Sequence, residues 1–105
     1  MRFTEPALLL LLRERPAHGY ELVDSLEGLA PGEPVHMGNL YRSLRALEAH
    51  GLVSSTWDAE APGAAKRVYE LTDEGRAVLD EWVAALGRAR ERIDAFLTRY
   101  EQGRG

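Results

Sequence analysis

The sequence predicts a mainly α-helical fold that carries one small β-hairpin. Apolar residues recur at helical spacing in four segments of the chain. Two short segments rich in β-branched residues follow the third of these and are joined by a loop, which is typical of a hairpin. The 105 residues are enough for one such domain with an added helix and leave no room for a second core.

The first helix is predicted from an unbroken run of five leucines, Leu8–Leu12, which should be buried on several sides. We expect Thr4 to act as its N-cap and Pro6 to lie in the first turn, where a missing N–H costs nothing. The helix should end near Arg15, because Pro16 restricts the residue before it.

A second helix is predicted from about His18 to about Gly28, and the loop 29–34 after it holds two prolines and a glycine. The third helix should begin near Met37 and end at Gly51, a residue suited to the position after a helix. Its apolar side chains form one narrow stripe directed at the core: Leu40, Leu44 and Leu47.

The hairpin is predicted from segments 52–57 and 67–71, with the loop 58–65 between them. Thr72 should then cap a long last helix that continues to about Glu101. Three helices, a hairpin and a further helix make the plan of a winged helix-turn-helix with an appended helix.

This plan divides the chain into two functional parts. Residues 1–72 are expected to form the winged helix-turn-helix DNA-binding domain. Residues 73–105 are expected to form a C-terminal dimerisation helix and tail.

The exposed face of the third helix has the profile of a surface that reads DNA. The residues opposite the leucine stripe are Gly38, Asn39, Arg42, Arg45, Ala46 and Ala49. Small residues let a base edge come close, while asparagine and arginine side chains supply contacts of the adenine, guanine and phosphate types. A solvated helix face is the alternative interpretation, because two arginines on such a face are common.

Charge distribution is compatible with this interpretation despite a formal net charge of −4. The middle third, residues 36–71, carries 4 basic and 4 acidic side chains and is the least acidic part of the chain. Within it Lys66 and Arg67 lie where the loop rejoins the second strand, so the root of the wing could rest on phosphates.

Five short motifs occur in the order and spacing of a known family. They are His18–Leu22, Gly38–Tyr41, Leu44–Glu48, Gly51–Val53 and Tyr69–Gly75. Together they closely resemble the PadR family of bacterial transcriptional regulators, and in particular its short members with a single C-terminal helix. The resemblance covers roughly residues 5–85.

The resemblance implies a homodimeric regulator of double-stranded DNA, usually a repressor and often relieved by a small hydrophobic effector. It would place Asn39, Tyr41 and Arg42 on the groove side of the third helix and make Lys66 and Arg67 the wing contacts. Two interpretations of Tyr41 stay open: a half-buried packing residue or a phosphate contact. Gly19 is expected to be a close-packing glycine, and His18 a structural residue.

The chain departs from the family pattern at the start of the third helix. His36 and Met37 stand where a Ser-Pro pair or a similar pair is usual, and Asn39 takes the position of a threonine. The helix should therefore lack a hydroxyl cap, and its base preference at that turn should differ.

The last helix carries an apolar seam at alternating spacings of 3 and 4 residues. Its members are Leu79, Trp82, Leu86, Ala89, Ile93, Phe96 and Tyr100. Such a seam is too long for this small core, so a second copy of the chain is expected to cover it. The alternative is that the helix folds back on its own domain. Trp82 and Leu86 could line an effector pocket at this interface or simply be core residues.

Other functional classes lack support in the sequence. The chain contains no cysteine, and His18, His36 and His50 show no metal-ligand spacing, so no metal site or cofactor is expected. No catalytic motif is present, which argues against an enzyme. The longest apolar run is far shorter than the roughly 20 residues of a membrane span, so we expect a cytoplasmic protein without a membrane partner. A winged-helix protein-interaction module without DNA binding is the remaining alternative.

Overall fold

The computed structural model describes residues 3–29, 36–58 and 66–104. The elements within these ranges are, in chain order, α1 (Thr4–Glu14), β1 (Ala17–His18), α2 (Gly19–Leu29), α3 (Met37–Ala49), β2 (Val53–Asp58), β3 (Lys66–Leu71) and α4 (Asp73–Gly103). The fold is thus mainly helical with a small antiparallel sheet, as predicted.

Helix α1 is the centre of the core, as its leucine run predicts. Leu8 and Leu9 are fully buried, and the helix contacts α2, α4 and β3. The prediction that Thr4 caps this helix is wrong. Phe3 occupies the N-cap position without a side-chain cap hydrogen bond, and Thr4 is already the first residue of the helix. Phe3 packs against the core, so apolar burial fixes where the helix starts.

A short first strand was not predicted from the sequence. Ala17 pairs with Tyr69 and His18 with Val68, which adds β1 to the hairpin in the order β1-β3-β2. Helix α2 consequently begins at Gly19 rather than at His18. Two residues are too few for an alternating pattern, so only pairing with a distant strand identifies this element.

The hairpin has the predicted strands in a regular antiparallel register, from Val53 opposite Leu71 to Asp58 opposite Lys66. Val53 and the central residue Tyr69 are buried and join the sheet to the core. The residues 30–34 of the first predicted loop and 59–65 of the hairpin loop lie outside the described residues.

The hairpin leads directly into α4 through a close-packed corner. Thr72 caps α4 as predicted: its hydroxyl oxygen accepts from the backbone N–H of Gly75 at 3.0 Å and donates to the carbonyl of Gly51 at 2.6 Å. Gly51 has a φ of +74°, as expected for the residue that follows the C-cap of α3. The backbone of Leu52 lies where a Cβ on Gly75 would be, so this position excludes larger residues.

Helix α4 is divided between the core and the outside of the domain. Leu79 is buried in the core of its own chain, and the half-buried Trp82 donates from its indole nitrogen to Glu5 at 3.0 Å. The apolar residues toward the C-terminal end of the helix are exposed: Ile93, Phe96, Leu97 and Tyr100. The predicted seam therefore needs a correction at Leu79, which folds back on its own domain and leaves no surface for a partner to cover.

None of the helices described is both long enough and apolar enough to cross a membrane.

Candidate nucleic-acid interface

The exposed face of α3 is formed by the residues that the helical wheel predicts. Asn39, Arg42 and Arg45 are all exposed, and so are the small residues between them. The opposite side is anchored by Leu40, Leu44 and Leu47, which are at most 3% exposed. Because the leucines fix the rotation of the helix, the polar face points outward with no competing contact from the core.

The start of α3 lacks a side-chain cap, in agreement with the departure seen in the sequence. His36 is the N-cap residue and makes no side-chain hydrogen bond to the helix. Both His36 and Met37 are exposed. The first N–H groups of α3 thus have no capping side chain, and they lie at the end of the helix that favours anions.

The structure shows Tyr41 as a half-buried packing residue, and its phosphate contact stays a prediction. Its side chain is half-buried, and its ring packs on Gly19 at the start of α2. A Cβ on Gly19 would lie 2.6 Å from a ring carbon and from the hydroxyl oxygen of Tyr41. This confirms Gly19 as a close-packing glycine. Tyr41 also lines a cavity beside α3.

The two basic residues at the root of the wing are each held by an aromatic ring. The ammonium of Lys66 lies 4.4 Å from the ring centroid of Tyr20, and the guanidinium of Arg67 lies 4.5 Å from that of Trp57. Such cation–π contacts restrict where a long flexible side chain can go.

Arg67 is fixed further by a chain of hydrogen bonds to α3. Its Nη1 donates to the hydroxyl of Ser55 at 2.9 Å, and that hydroxyl donates to Oε2 of Glu48 at 2.8 Å. Glu48 thereby offsets part of the positive charge of Arg67. The wing and α3 are joined into one continuous polar surface.

A cavity of about 700 Å³ lies between the hairpin, the start of α2 and α3. Cationic and aromatic side chains dominate its lining, among them Arg45, Lys66, Arg67, Tyr20, Tyr41 and Trp57. A concave cationic surface beside an exposed helix fits the sugar–phosphate backbone of a duplex. The cavity brings together four of the six predicted contact residues, while Asn39 and Arg42 lie on the exposed helix face outside its lining.

Tyr20 and Trp57 were missed by sequence reasoning. Tyr20 follows the first glycine of α2, and Trp57 stands directly opposite Arg67 in the hairpin. Pairing the two strands in register would have placed the tryptophan beside the arginine, because cross-strand neighbours share a face. The contact between Tyr20 and Lys66 depends on β1 and had no local signal.

His18 lies at the edge of this surface in a network of charged groups. Its backbone N–H donates to Oε1 of Glu21 at 2.9 Å, and its ring nitrogens lie 2.7 Å from Glu21 and 3.0 Å from Asp58. The hydrogen bond to Glu21 raises the pKa of His18 most; burial opposes the rise and Asp58 supports it. The same contacts lower the pKa of Glu21, the backbone hydrogen bond from His18 first.

Part of this network has a recognisable sequence signal. His18 directly precedes α2, and Glu21 is the third residue of the helix. A glutamate at that position that accepts from the N-cap backbone N–H is one half of a capping box. The spacing could have been identified in the sequence, but the contact with Asp58 could not.

The predicted dimerisation residues differ widely in exposure. Ile93, Phe96 and Tyr100 are 57%, 72% and 62% exposed. Trp82 and Leu86, which were also predicted to line an effector pocket, are half-buried. They lie on α4, apart from the cavity beside α3.

Comparison with protein-family models finds one match over residues 8–81, to a family described as the transcriptional regulator PadR-like family. The chain is 32% identical over 79 residues to Rv1176c of Mycobacterium tuberculosis, which is described as a probable transcriptional regulator. The aligned part is 74% of this chain and 42% of that relative, so the chain spans less than half of its length.

Solved structures show the same architecture. A PadR family transcriptional regulator from Eggerthella lenta is 35% identical, with a TM-score of 0.71 over 85% of this chain and 79% of the other. Bacillus subtilis PadR, solved in complex with operator DNA, is 27% identical, with a TM-score of 0.69 over 79% of this chain and 48% of the other.

Proposed function

The chain belongs to the PadR-like family of transcriptional regulators, and on that premise we propose that it represses transcription by binding an inverted-repeat operator as a homodimer. As a member of this family it is a DNA-binding regulator and not an enzyme. One observation carries the proposal: Arg45 of the exposed polar face of α3 and the basic root of the wing line the same cavity.

Helix α3 is the element that we assign to the major groove. A B-form major groove is about 12 Å wide and admits one helix, and the small residues on this face allow close approach. Asn39 suits adenine and Arg42 suits guanine, because each can form two hydrogen bonds to that base. Arg45 also lines the cavity, so we place its guanidinium between the bases contacted by α3 and the phosphates contacted by the wing root.

The wing root is assigned to the phosphate backbone. Lys66 and Arg67 are held by aromatic rings before DNA arrives, so binding costs less side-chain entropy. Tyr41, which lines the same cavity, adds a hydroxyl group to these contacts. These contacts fix the register of the protein on the duplex and carry no sequence information.

Dimerisation is assigned to the C-terminal part of α4. The exposed apolar residues there are Ile93, Phe96, Leu97 and Tyr100. A second copy that covers them through a two-fold axis would set the two α3 helices about 34 Å apart, on successive major grooves. The division at residue 72 is then functional, although Leu79 belongs to the core of the DNA-binding part.

A small hydrophobic effector is assigned to the dimer interface near Trp82 and Leu86. Both side chains are half-buried in the single chain and lie between its core and the exposed end of α4. A ligand there would change the angle between the two α4 helices and so the spacing of the α3 helices. Release from the operator would follow from that change.

The proposal is tested by selecting bound duplexes from a random pool. We expect an inverted repeat whose half-sites are about one helical turn apart, because each α3 reads one half. Binding of the selected duplex should weaken linearly with log salt, at a slope of about −0.9 per phosphate neutralised. Enrichment of a single half-site would contradict the dimeric mode. No enrichment at any salt concentration would favour a protein-interaction module.

A further inference from the structure

Three ionisable side chains from three elements meet across the central strand β3, at the end of the sheet next to the wing. His18 ends β1, Glu21 lies in the first turn of α2, and Asp58 ends β2 at the root of the hairpin. We call these three residues the wing clamp. The ring of His18 lies between the two carboxylates, with one nitrogen directed at each.

The wing clamp is connected to the basic residues that the proposed function places on phosphates. Asp58 lies opposite Lys66 in the hairpin register, and Arg67 is the next residue along β3. The ammonium of Lys66 lies over the ring of Tyr20, which is stacked on the ring of His18 at 5.3 Å between centroids. Both strands of the hairpin are therefore tied at their root to the His18–Tyr20 edge.

The protonation state of His18 decides whether this connection is complete. An imidazolium donates from both ring nitrogens and so satisfies both carboxylates, whereas a neutral ring has one donor and leaves a lone pair facing the other carboxylate. Among the described residues, the other ionisable side chains that the contacts place at this cluster are Arg15, 3.6 Å from Glu21, together with Lys66 and Tyr20. His18 is the member of this cluster whose residue type ordinarily titrates near neutral pH, so it is the group that switches.

We propose that His18 is a positioning residue for DNA binding: its protonated ring fastens the root of the wing to the start of α2 and so holds Lys66 and Arg67 in reach of the phosphates. This inference rests on the proposed function, because it concerns the same DNA surface. His18 lines the same cavity, but the role proposed for it is to act through the hairpin and not through a DNA contact of its own.

The direction of the pKa shift fits this role. The pKa of His18 is raised above its ordinary value of 6.5, first by the hydrogen bond to Glu21 and also by that to Asp58. A raised pKa means that the clamp is fully closed below about pH 6.5 and opens as the pH rises through the raised value. DNA affinity should fall over the same window.

The central experiment measures operator binding by fluorescence anisotropy at about pH 6 and about pH 8.5, at constant ionic strength. We expect the affinity to be about three- to tenfold lower at the higher pH, if the unclamped wing is correctly placed in a tenth to a third of molecules. His18→Gln should bind at the weaker level at both pH values. His50→Gln, at the end of α3 and outside the clamp, should keep the original pH dependence.

A second variant keeps the inference testable if His18→Gln does not fold. Asp58→Asn removes the carboxylate on the wing side and leaves the capping contact of Glu21 in place. It should show a smaller pH dependence than the unaltered protein. If His18→Gln and Asp58→Asn are both folded by circular dichroism and both keep the original pH dependence, the inference is overturned.

A measurement without DNA separates this inference from the proposed function. In a Trp82→Phe background, Trp57 next to Asp58 is the remaining tryptophan and reports the position of the wing root. Its emission should change with pH when His18 is present and stay constant in His18→Gln. If the emission behaves in this way but no duplex is bound, the clamp exists and the proposed function fails. If operator binding is normal and neither it nor the emission depends on His18, the clamp fails alone.

Discussion

At the scale of single residues, the proposed DNA surface separates side chains that can read bases from side chains that can position the duplex. Arg42 is exposed on the free face of α3 and lies outside the cavity lining. Lys66 lies at the wing root, held over an aromatic ring. A guanidinium on a helix in the major groove can form two hydrogen bonds with guanine, whereas an ammonium on a wing meets only phosphate.

This difference predicts opposite signatures for two substitutions. Arg42→Ala should weaken operator binding by about 1–3 kcal/mol and relax sequence preference at one position of each half-site. Lys66→Ala should weaken binding to all sequences alike and lower the salt slope by about 0.9. Binding constants on matched and mismatched duplexes at several salt concentrations distinguish the two. Equal losses of Arg42→Ala on every sequence would place Arg42 on the backbone instead.

At the scale of elements, the close packing of α2 and α3 depends on glycine at position 19, which has no side chain. The ring of Tyr41 fills the space next to Gly19, so that α3 approaches the start of α2 closely. This contact positions the N-terminal half of α3, which carries Asn39 and Arg42. The core leucines hold the axis of α3 in place. The contact between Tyr41 and Gly19 in addition fixes the position of the N-terminal end of α3.

Gly19→Ala is therefore expected to destabilise the protein by about 1–3 kcal/mol, because the added methyl group collides with the Tyr41 ring. Gly87→Ala is the matched control. Gly87 lies inside α4, and a Cβ added there would meet nothing within 4 Å, so alanine should stabilise the protein by about 0.5–1 kcal/mol through helix propensity. Denaturant unfolding monitored by circular dichroism measures both. A Gly19→Ala protein as stable as the original would show that the ring of Tyr41 can move aside.

At the scale of the whole molecule, the long α4 makes the chain extended. The described residues span 63 Å along their longest axis, and the end of α4 reaches beyond the globular part. An exposed apolar stripe on a projecting helix is costly in water and is typical of an interface between subunits. The proposed inverted-repeat operator depends on this interface, because a single α3 reads only one half-site.

Ile93→Asp should convert the protein to monomers in analytical ultracentrifugation, since two buried carboxylates would face each other across the two-fold axis. Thr98→Asp adds the same charge on the opposite side of α4 and should leave the dimer intact. Operator affinity should fall with Ile93→Asp and not with Thr98→Asp. A monomeric unaltered protein, or a dimeric Ile93→Asp, would rule out this part of α4 as the interface.

The sequence by itself determined the features that depend on local periodicity and capping. The leucines of α1 and the leucine stripe on α3 predicted that both helices pack into the core. The same stripe predicted that the opposite face of α3, with Asn39 and Arg42, is exposed. Thr72 and Gly51 marked helix ends because their chemistry acts within a few residues. The five family motifs lie in or beside these same helices and strands, so they could be recognised from this single sequence.

Tertiary structure decided the contacts between residues far apart in the chain. The strand β1 exists because Ala17 and His18 pair with β3, and its two residues carry no pattern of their own. Leu79 has the spacing of a dimer seam, yet it is covered by its own domain, since periodicity does not reveal what packs on a face. The wing clamp arises in the same way, because a histidine and an aspartate become partners only when the sheet brings their backbones together.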